Sequence, residues 1–377
     1  MNPFSHPLYV MLKPTGANCN LACHYCYYLE KKELYNHTPK QLMSESLLET
    51  FTQQYIEAQT THEVLFTWHG GEALMRPLSF YRRAVELQRK HANGHVISNA
   101  LQTNGTLITE EWARFLRKEA WLVGVSIDGP QEAHDTFRLT TQGKPTWARV
   151  RRGIDLLNRF SVEWNAMAVV NSLNAEDPLG FYRFFRDELK CRYIQFTPIV
   201  EHGLDCNVSP RQWGRFLCEI FDEWVSHDVG STFVQIFDAT LANWMGVEPG
   251  LCTMARECGH AGVMEWNGDV YSCDHFVDKA HLLGNIREKT IVEMMYSTQQ
   301  RNFGRQKSEN LSPQCRQCEW LFACHGECPK NRWEGGLNFL CEGYKTFFQH
   351  VAPAMDRMKW LLQHGQAPAL IMEKGLL

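Results

Sequence analysis

A chain of 377 residues with 44% hydrophobic side chains can build one large domain and a smaller one, each with a buried core. Its 38 basic and 42 acidic residues leave a formal charge of −4, well mixed, which excludes a nucleic-acid footprint or a polybasic membrane patch. No apolar run is long enough to span a bilayer, and residues 1–7 lack the basic start of a secretory signal, so the expected location is the cytoplasm.

In chain order, residues 8–12 read as a short buried strand that delivers the chain into a loop bearing Cys19, Cys23 and Cys26. From 44 to 59 a helical period puts Leu47, Leu48, Phe51, Tyr55 and Ile56 on one face. Strands follow at 64–68, 96–102, 121–127, 162–170 and 193–199. Helices alternate with them at 78–91, 109–119, 146–160 and 178–190. Thr109 suits an N-cap, and Ser209-Pro210 opens another helix with a capping hydroxyl followed by proline at the first helical position.

Six strand–helix units imply parallel strands joined by right-handed crossovers. Six are too few to close an eight-stranded barrel, so the expected fold is α/β, a partial (β/α)6 TIM-like barrel. Chemistry in such folds collects at the C-terminal ends of the strands. The cysteine loop, Gly70-Gly71-Glu72, Thr103-Asn104-Gly105 and Ser126-Ile127-Asp128-Gly129 all fall there. The two glycines let backbone approach a ligand closely, and Glu72 can anchor its loop.

Three cysteines on one tight loop can hold three irons of a four-iron cluster and leave the fourth open to a small molecule. A local zinc site normally needs a second short pair nearby, and the next cysteine is Cys191. From about Gly230 the period breaks and cysteines crowd: Cys252, Cys258, Cys273, Cys315, Cys318, Cys324, Cys328 and Cys341. Eight thiols suit two four-thiolate sites, and zinc or iron–sulfur both fit by count. The wide spacings beside a cluster loop favour iron–sulfur. The expected division is 1–230 for the barrel and 231–377 for the cysteine-rich part.

The spacing of Cys19, Cys23 and Cys26, with Tyr25 before the last, resembles the signature of the radical S-adenosylmethionine (SAM) enzymes. The later run of cysteines is similar to their SPASM domain. The chain as a whole resembles the anaerobic sulfatase-maturating enzymes, through Cys19 to Tyr28, Leu101 to Thr106, Ser126 to Pro130, Asn267 to His275 and Gly326 to Lys330. The resemblance implies SAM and three [4Fe-4S] clusters. One is held by Cys19, Cys23 and Cys26, a second by Cys252, Cys258, Cys273 and Cys328, and a third by Cys315, Cys318, Cys324 and Cys341. It implies SAM contacts from Tyr25, Gly70, Gly71, Glu72, Ser126, Arg138 and Val200. Here Ala73 stands where the family's Gly-Gly-Glu loop has proline. Cys191, Cys206 and Cys218 are left as ordinary thiols.

The resemblance further implies a reaction. SAM splits to a 5′-deoxyadenosyl radical, which removes a Cβ hydrogen from a cysteine or serine of a sulfatase. Asp274 takes the thiol or hydroxyl proton, an acid for which a raised pKa would suit, and a second electron leaves through an auxiliary cluster to give Cα-formylglycine. The implied substrate motif is Cys/Ser-x-Pro/Ala-x-Arg, lined by Tyr28, His69 and Gln195, with an electron donor such as flavodoxin or ferredoxin. Two alternatives share the cysteine frame: a SPASM peptide maturase making a thioether crosslink, and a non-catalytic iron–sulfur or zinc protein.

Overall fold

The computed structural model describes residues 7–35 and 41–373. Its strands are β1 (Tyr9–Lys13), β2 (Glu63–Trp68), β3 (Val96–Thr103), β4 (Leu122–Ser126), β5 (Trp164–Val170), β6 (Tyr193–Pro198), β7 (Phe233–Val234), β8 (Ala261–Glu265), β9 (Asp269–Tyr271) and β10 (Leu282–Asn285). All six strands expected from the sequence are present. The chain forms two compact units: residues 1–126, 135–164 and 258–305 in the first, and 127–134, 165–257 and 306–377 in the second.

In the first unit β1, β2, β3 and β4 pair in parallel in that order. On its other edge β1 pairs in parallel with β8, which is followed by antiparallel β9 and β10. This β8–β10 meander went unseen in the sequence because its short strands lie among the turns and crowded cysteines past Gly230, where the strand–helix alternation stops. The helices form where capping side chains start them. Ser44 Oγ accepts from Leu47 N–H at 3.2 Å and Thr109 Oγ1 from Trp112 N–H at 3.3 Å. The helices Glu45–Glu57 and Leu78–His91 bury Phe51, Tyr55 and Tyr81. Trp68 of β2 stacks on Trp121 at 6.0 Å, with Tyr81 edge-on at 5.4 Å. The buried Trp68 indole donates to Asn99 Oδ1 at 2.8 Å, and Gln88 exchanges two further hydrogen bonds with the Asn99 amide, so both of these side chains are satisfied.

In the second unit β5, β6 and β7 are parallel. Helix Pro210–His227 starts as expected: Ser209 and Gln212 form a reciprocal capping box and Pro210 fills the first turn. It packs on a helix the sequence reading missed, Cys341–Gln363. Gly214 and Gly343 make the approach possible, since a Cβ on Gly343 would lie 2.3 Å from the Pro210 carbonyl oxygen. The expected helix 178–190 is instead a short α-helix, Pro178–Arg183, followed by a wider π-helical turn, Phe184–Glu188. Among the described residues no helix is long and apolar enough to cross a membrane.

Candidate active site

In the first unit the loops after β1, β2 and β3 are bonded into one piece. Gly71 N–H donates to Gly16 O at 2.7 Å, and Glu72 N–H to Asn18 O at 2.8 Å. A Cβ on Gly71 would sit 2.2 Å from the Asn18 carbonyl oxygen, and Gly70 has φ +140°. The glycines thus serve contact with the cysteine loop itself. Glu72, 1% exposed, accepts from Leu74 N–H, Thr103 Oγ1 and Asn104 N–H at 2.7–2.8 Å. The anchoring role read from the sequence is the role its carboxylate has. The Asn104 amide reaches Asn20 Oδ1 at 2.9 Å and Cys19 Sγ at 3.7 Å, and Asn20 donates to Thr106 Oγ1 at 2.9 Å. Asn20 and Thr106 were not singled out in the sequence; a lone Asn in a cysteine loop carries no periodic signal.

The cysteine loop is held on its other side by Ala22 N–H to Leu139 O at 2.8 Å and His24 N–H to Phe137 O at 2.9 Å. Arg138, 7% exposed, donates to the Tyr25 hydroxyl at 2.7 Å. Ser126, at the end of β4, accepts from Gln102 at 3.0 Å. The Cys19 thiol is pushed up to about 12, chiefly by burial, then by Glu72, Cys23 and Cys26, against the Leu21 amide. Thiols close enough to oppose one another's ionisation are a donor set that a multivalent metal cluster satisfies. These residues fit a cluster.

Lys13, at the end of β1, is 0% exposed and forms an ion pair with Asp274. Its Nζ lies 3.3 Å from the centre of the Tyr28 ring. The Tyr27 hydroxyl donates to Asp274 Oδ2 and the Tyr28 hydroxyl to Glu265 Oε1. The register of β1 on β8 sets Lys13 opposite Glu265. Burial alone would raise the Asp274 carboxyl, but the Lys13 ammonium, with His69 and His275, holds it well below the usual carboxylate range. The raised pKa expected from the sequence is therefore not found; the lysine that ends the first strand gave no sign of its partner. Glu265, 1% exposed, goes the other way, up to about 7, chiefly by burial and against Lys13 and Tyr28.

His69 follows β2. Burial first, then Lys13, lowers it to about 4, with Asp274 opposing. Its Nδ1 accepts from Gly70 N–H at 2.8 Å, which leaves Nε2 to carry the proton of the neutral ring. Tyr27, Tyr28, His69 and Asp274 thus meet around Lys13, beside Cys273. Cys258 also belongs to the first unit, its N–H bonded to Gly304 O at 3.1 Å.

The second unit holds Gln195 on β6, in register with Met167. Val200 follows β6, and its carbonyl accepts from Lys330 Nζ at 3.1 Å. Cys315, Cys318, Cys324 and Cys341 line one cavity together with Trp320 and Tyr344. Ser312 caps the turn Pro313–Arg316 through Cys315 N–H at 3.2 Å, and Cys341 begins its long helix. The Cys324 thiol is pushed up to about 12, by burial first and then by Glu327, Cys341 and Cys315. Four convergent free thiols fit a second cluster. Cys252 and Cys328 also lie in this unit; Cys191 and Cys206 are buried as plain thiols.

The profile of the Radical SAM superfamily matches residues 14–185, and that of an iron–sulfur cluster-binding domain, SPASM, matches 255–319. The serine-type anaerobic sulfatase-maturating enzyme of Bacteroides thetaiotaomicron is 60% identical, over 98% of this chain and 96% of that protein. The chain belongs to the anaerobic sulfatase-maturating enzymes. The cysteine-type sulfatase-maturating enzyme of Clostridium perfringens is 33% identical over 93% of this chain and 97% of its own. A solved sulfatase-maturating enzyme, described as native anSMEcpe with bound AdoMet and Cp18Cys peptide, superposes with a TM-score of 0.85 at 31% identity, over 94% of this chain and 99% of that one. The fold is accordingly the radical SAM α/β fold with a SPASM domain, and the maturase uses SAM and [4Fe-4S] clusters. Its family makes Cα-formylglycine from a cysteine or serine side chain.

Proposed function

We propose that this maturase oxidises the cysteine or serine of a Cys/Ser-x-Pro/Ala-x-Arg motif in a sulfatase polypeptide, with Asp274 as the base. The observation that carries the reading is the ionised Asp274, fixed by Lys13 and Tyr27 in the same unit as Cys19, Cys23 and Cys26. The 60% identity to a serine-type enzyme supports serine among the targets.

Bound SAM and its cluster supply the radical that takes a hydrogen atom from the target Cβ. Cys19, Cys23 and Cys26 would hold that cluster, with Tyr25, Gly70, Gly71, Glu72, Ser126, Arg138 and Val200 around SAM. Glu72 acts by locking loops, and Arg138 orients the Tyr25 hydroxyl. Cys252, Cys258, Cys273 and Cys328 would hold one auxiliary cluster, and Cys315, Cys318, Cys324 and Cys341 the other. Asp274 is held in the carboxylate form that can accept the thiol or hydroxyl proton, and the Lys13 pair that keeps it ionised also lowers its basicity. Tyr28, His69 and Gln195 border the peptide, with neutral His69 offering its Nε2 proton as a donor. The working division is 1–230 for radical generation and 231–377 for the auxiliary clusters. A small electron carrier such as flavodoxin or ferredoxin supplies the first electron. A reducing cytoplasm suits a chain with fourteen cysteines that is read as binding iron–sulfur clusters.

The test is anaerobic reconstitution with iron, sulfide, SAM and reductant, followed by two peptides bearing Cys-x-Pro-x-Arg and Ser-x-Pro-x-Arg. Aldehyde in the peptide with matching 5′-deoxyadenosine is the expected mass-spectrometric result. SAM cleavage beside two untouched peptides would reassign the substrate, and zinc in place of iron would remove the cluster reading.

A further inference from the structure

Lys307, in the last turn of helix Thr298–Glu309, is 0% exposed. Its Nζ donates to the carbonyl oxygens of Cys252 and Thr253, both at 2.8 Å. Its own carbonyl accepts from Arg332 Nη1 at 2.8 Å, so the turn carrying it is fixed. An ammonium has three donors, and the third has no acceptor among the described residues. Among the described residues no carboxylate lies within ion-pair distance. Glu327, the buried acid whose charge it senses, accepts instead from Asn331 at 3.0 Å and from Asn338.

A buried ammonium held by two carbonyl dipoles is poorly solvated unless a nearby negative charge compensates it. Lys13 shows the usual remedy in this chain, a carboxylate partner. Lys307 has no such ion-pair partner among the described residues, so a bound anion is the counter-charge that suits it. The residue it grips is Cys252. A four-thiolate iron–sulfur cluster is an anion that gains one more negative charge on reduction.

We infer that Lys307 is the built-in counter-cation of the cluster bound through Cys252, and that it sets that cluster's reduction potential. The inference rests on the iron–sulfur reading of Cys252. Lys307 touches neither substrate nor reacting atoms; it is a positioning residue that favours the reduced state, in which the second electron of the oxidation is received. A cation beside a cluster stabilises the reduced form more than the oxidised one.

The test uses the full-length chain, anaerobically reconstituted, with iron and sulfide counted and each cluster followed by EPR-monitored redox titration. Iron confined to one cluster in the wild type overturns the reading of Cys252 itself, and with it the inference. With all clusters present, Lys307→Met is expected to make one auxiliary cluster about tenfold harder to reduce, which for one electron is about 59 mV. Lys307→Arg keeps the charge and is expected to restore most of that potential. Unchanged potentials in a fully loaded Lys307→Met protein overturn the inference. Where Lys307→Met loses the cluster altogether, Lys307→Gln decides. Full loading at wild-type potential with glutamine, which donates without charge, overturns it; loading rescued by arginine and not by glutamine supports it.

Discussion

Lys13 and Asp274 form a buried ion pair that joins the end of the first strand to the residue after Cys273. Removing one partner of a buried pair strands the other charge, at about 3–5 kcal/mol. Lys13→Met is therefore expected to lower the urea midpoint of the apoprotein, while Lys13→Met combined with Asp274→Leu recovers part of the loss. Urea titrations of wild type, single and double variants read this directly. Equal loss in the double variant would show that the two residues do not act as a pair.

Asp274→Asn keeps the shape and a contact for Tyr27 but removes the base. General base catalysis is worth about 10²–10⁴-fold. SAM cleavage should continue while aldehyde formation falls by that order, measured as 5′-deoxyadenosine and aldehyde in the same reaction. Full aldehyde yield would take Asp274 out of the mechanism.

Gly71→Ala places a Cβ 2.2 Å from the Asn18 carbonyl oxygen, a backbone atom that cannot swing aside. The cysteine loop must move to admit it. Iron bound at Cys19, Cys23 and Cys26 should fall, as should SAM binding, while the four thiols around Tyr344 keep theirs. Iron counts and SAM titration on the variant check the order of loss.

Glu265 supplies the pH dependence. Its folded value of about 7 lies above the ordinary 4.5, so folding favours the protonated form. Stability from this group is greatest below pH 4.5, declines as pH rises through that value, and is fully lost above 7. The difference is about 3 kcal/mol. Glu265→Gln removes this slope and should be more stable than wild type at pH 8. Melting temperatures from pH 5 to 8 test it. Parallel curves for the two proteins would place the titration elsewhere.

The strand–helix alternation was legible because each strand is an apolar run closed by a polar or glycine turn, as at Trp68-His69-Gly70. The loop bearing Cys19, Cys23 and Cys26 was legible for the same local reason, whereas the division of the eight later cysteines into two sets came from the resemblance and not from their spacing. What the sequence could not give was pairing at a distance. Nothing near Lys13 points to Asp274, since an ion pair between a strand end and a turn 261 residues later has no period. The 23-residue helix starting at Cys341 was hidden because its first residue had already been read as a metal ligand and Pro353 sits inside it. Glu72 shows the converse: its locking role was readable as a turn acid, but the three donors that use it come from two separate loops.

The pairing of β1 with β8 has a consequence for biosynthesis. β1 and the three cysteines after it leave the ribosome well before β8, yet Tyr9 to Lys13 are flanked on one side by Ala261 to Glu265. Until that late strand arrives, Lys13 lacks Asp274, and one edge of β1 stays open. Contacts this far apart in sequence form slowly. The cysteine loop is thus complete as a peptide long before it is complete as a site, and metal delivered during translation would meet loose thiols. Iron loading is a late event for this fold, set by the order in which the chain is made.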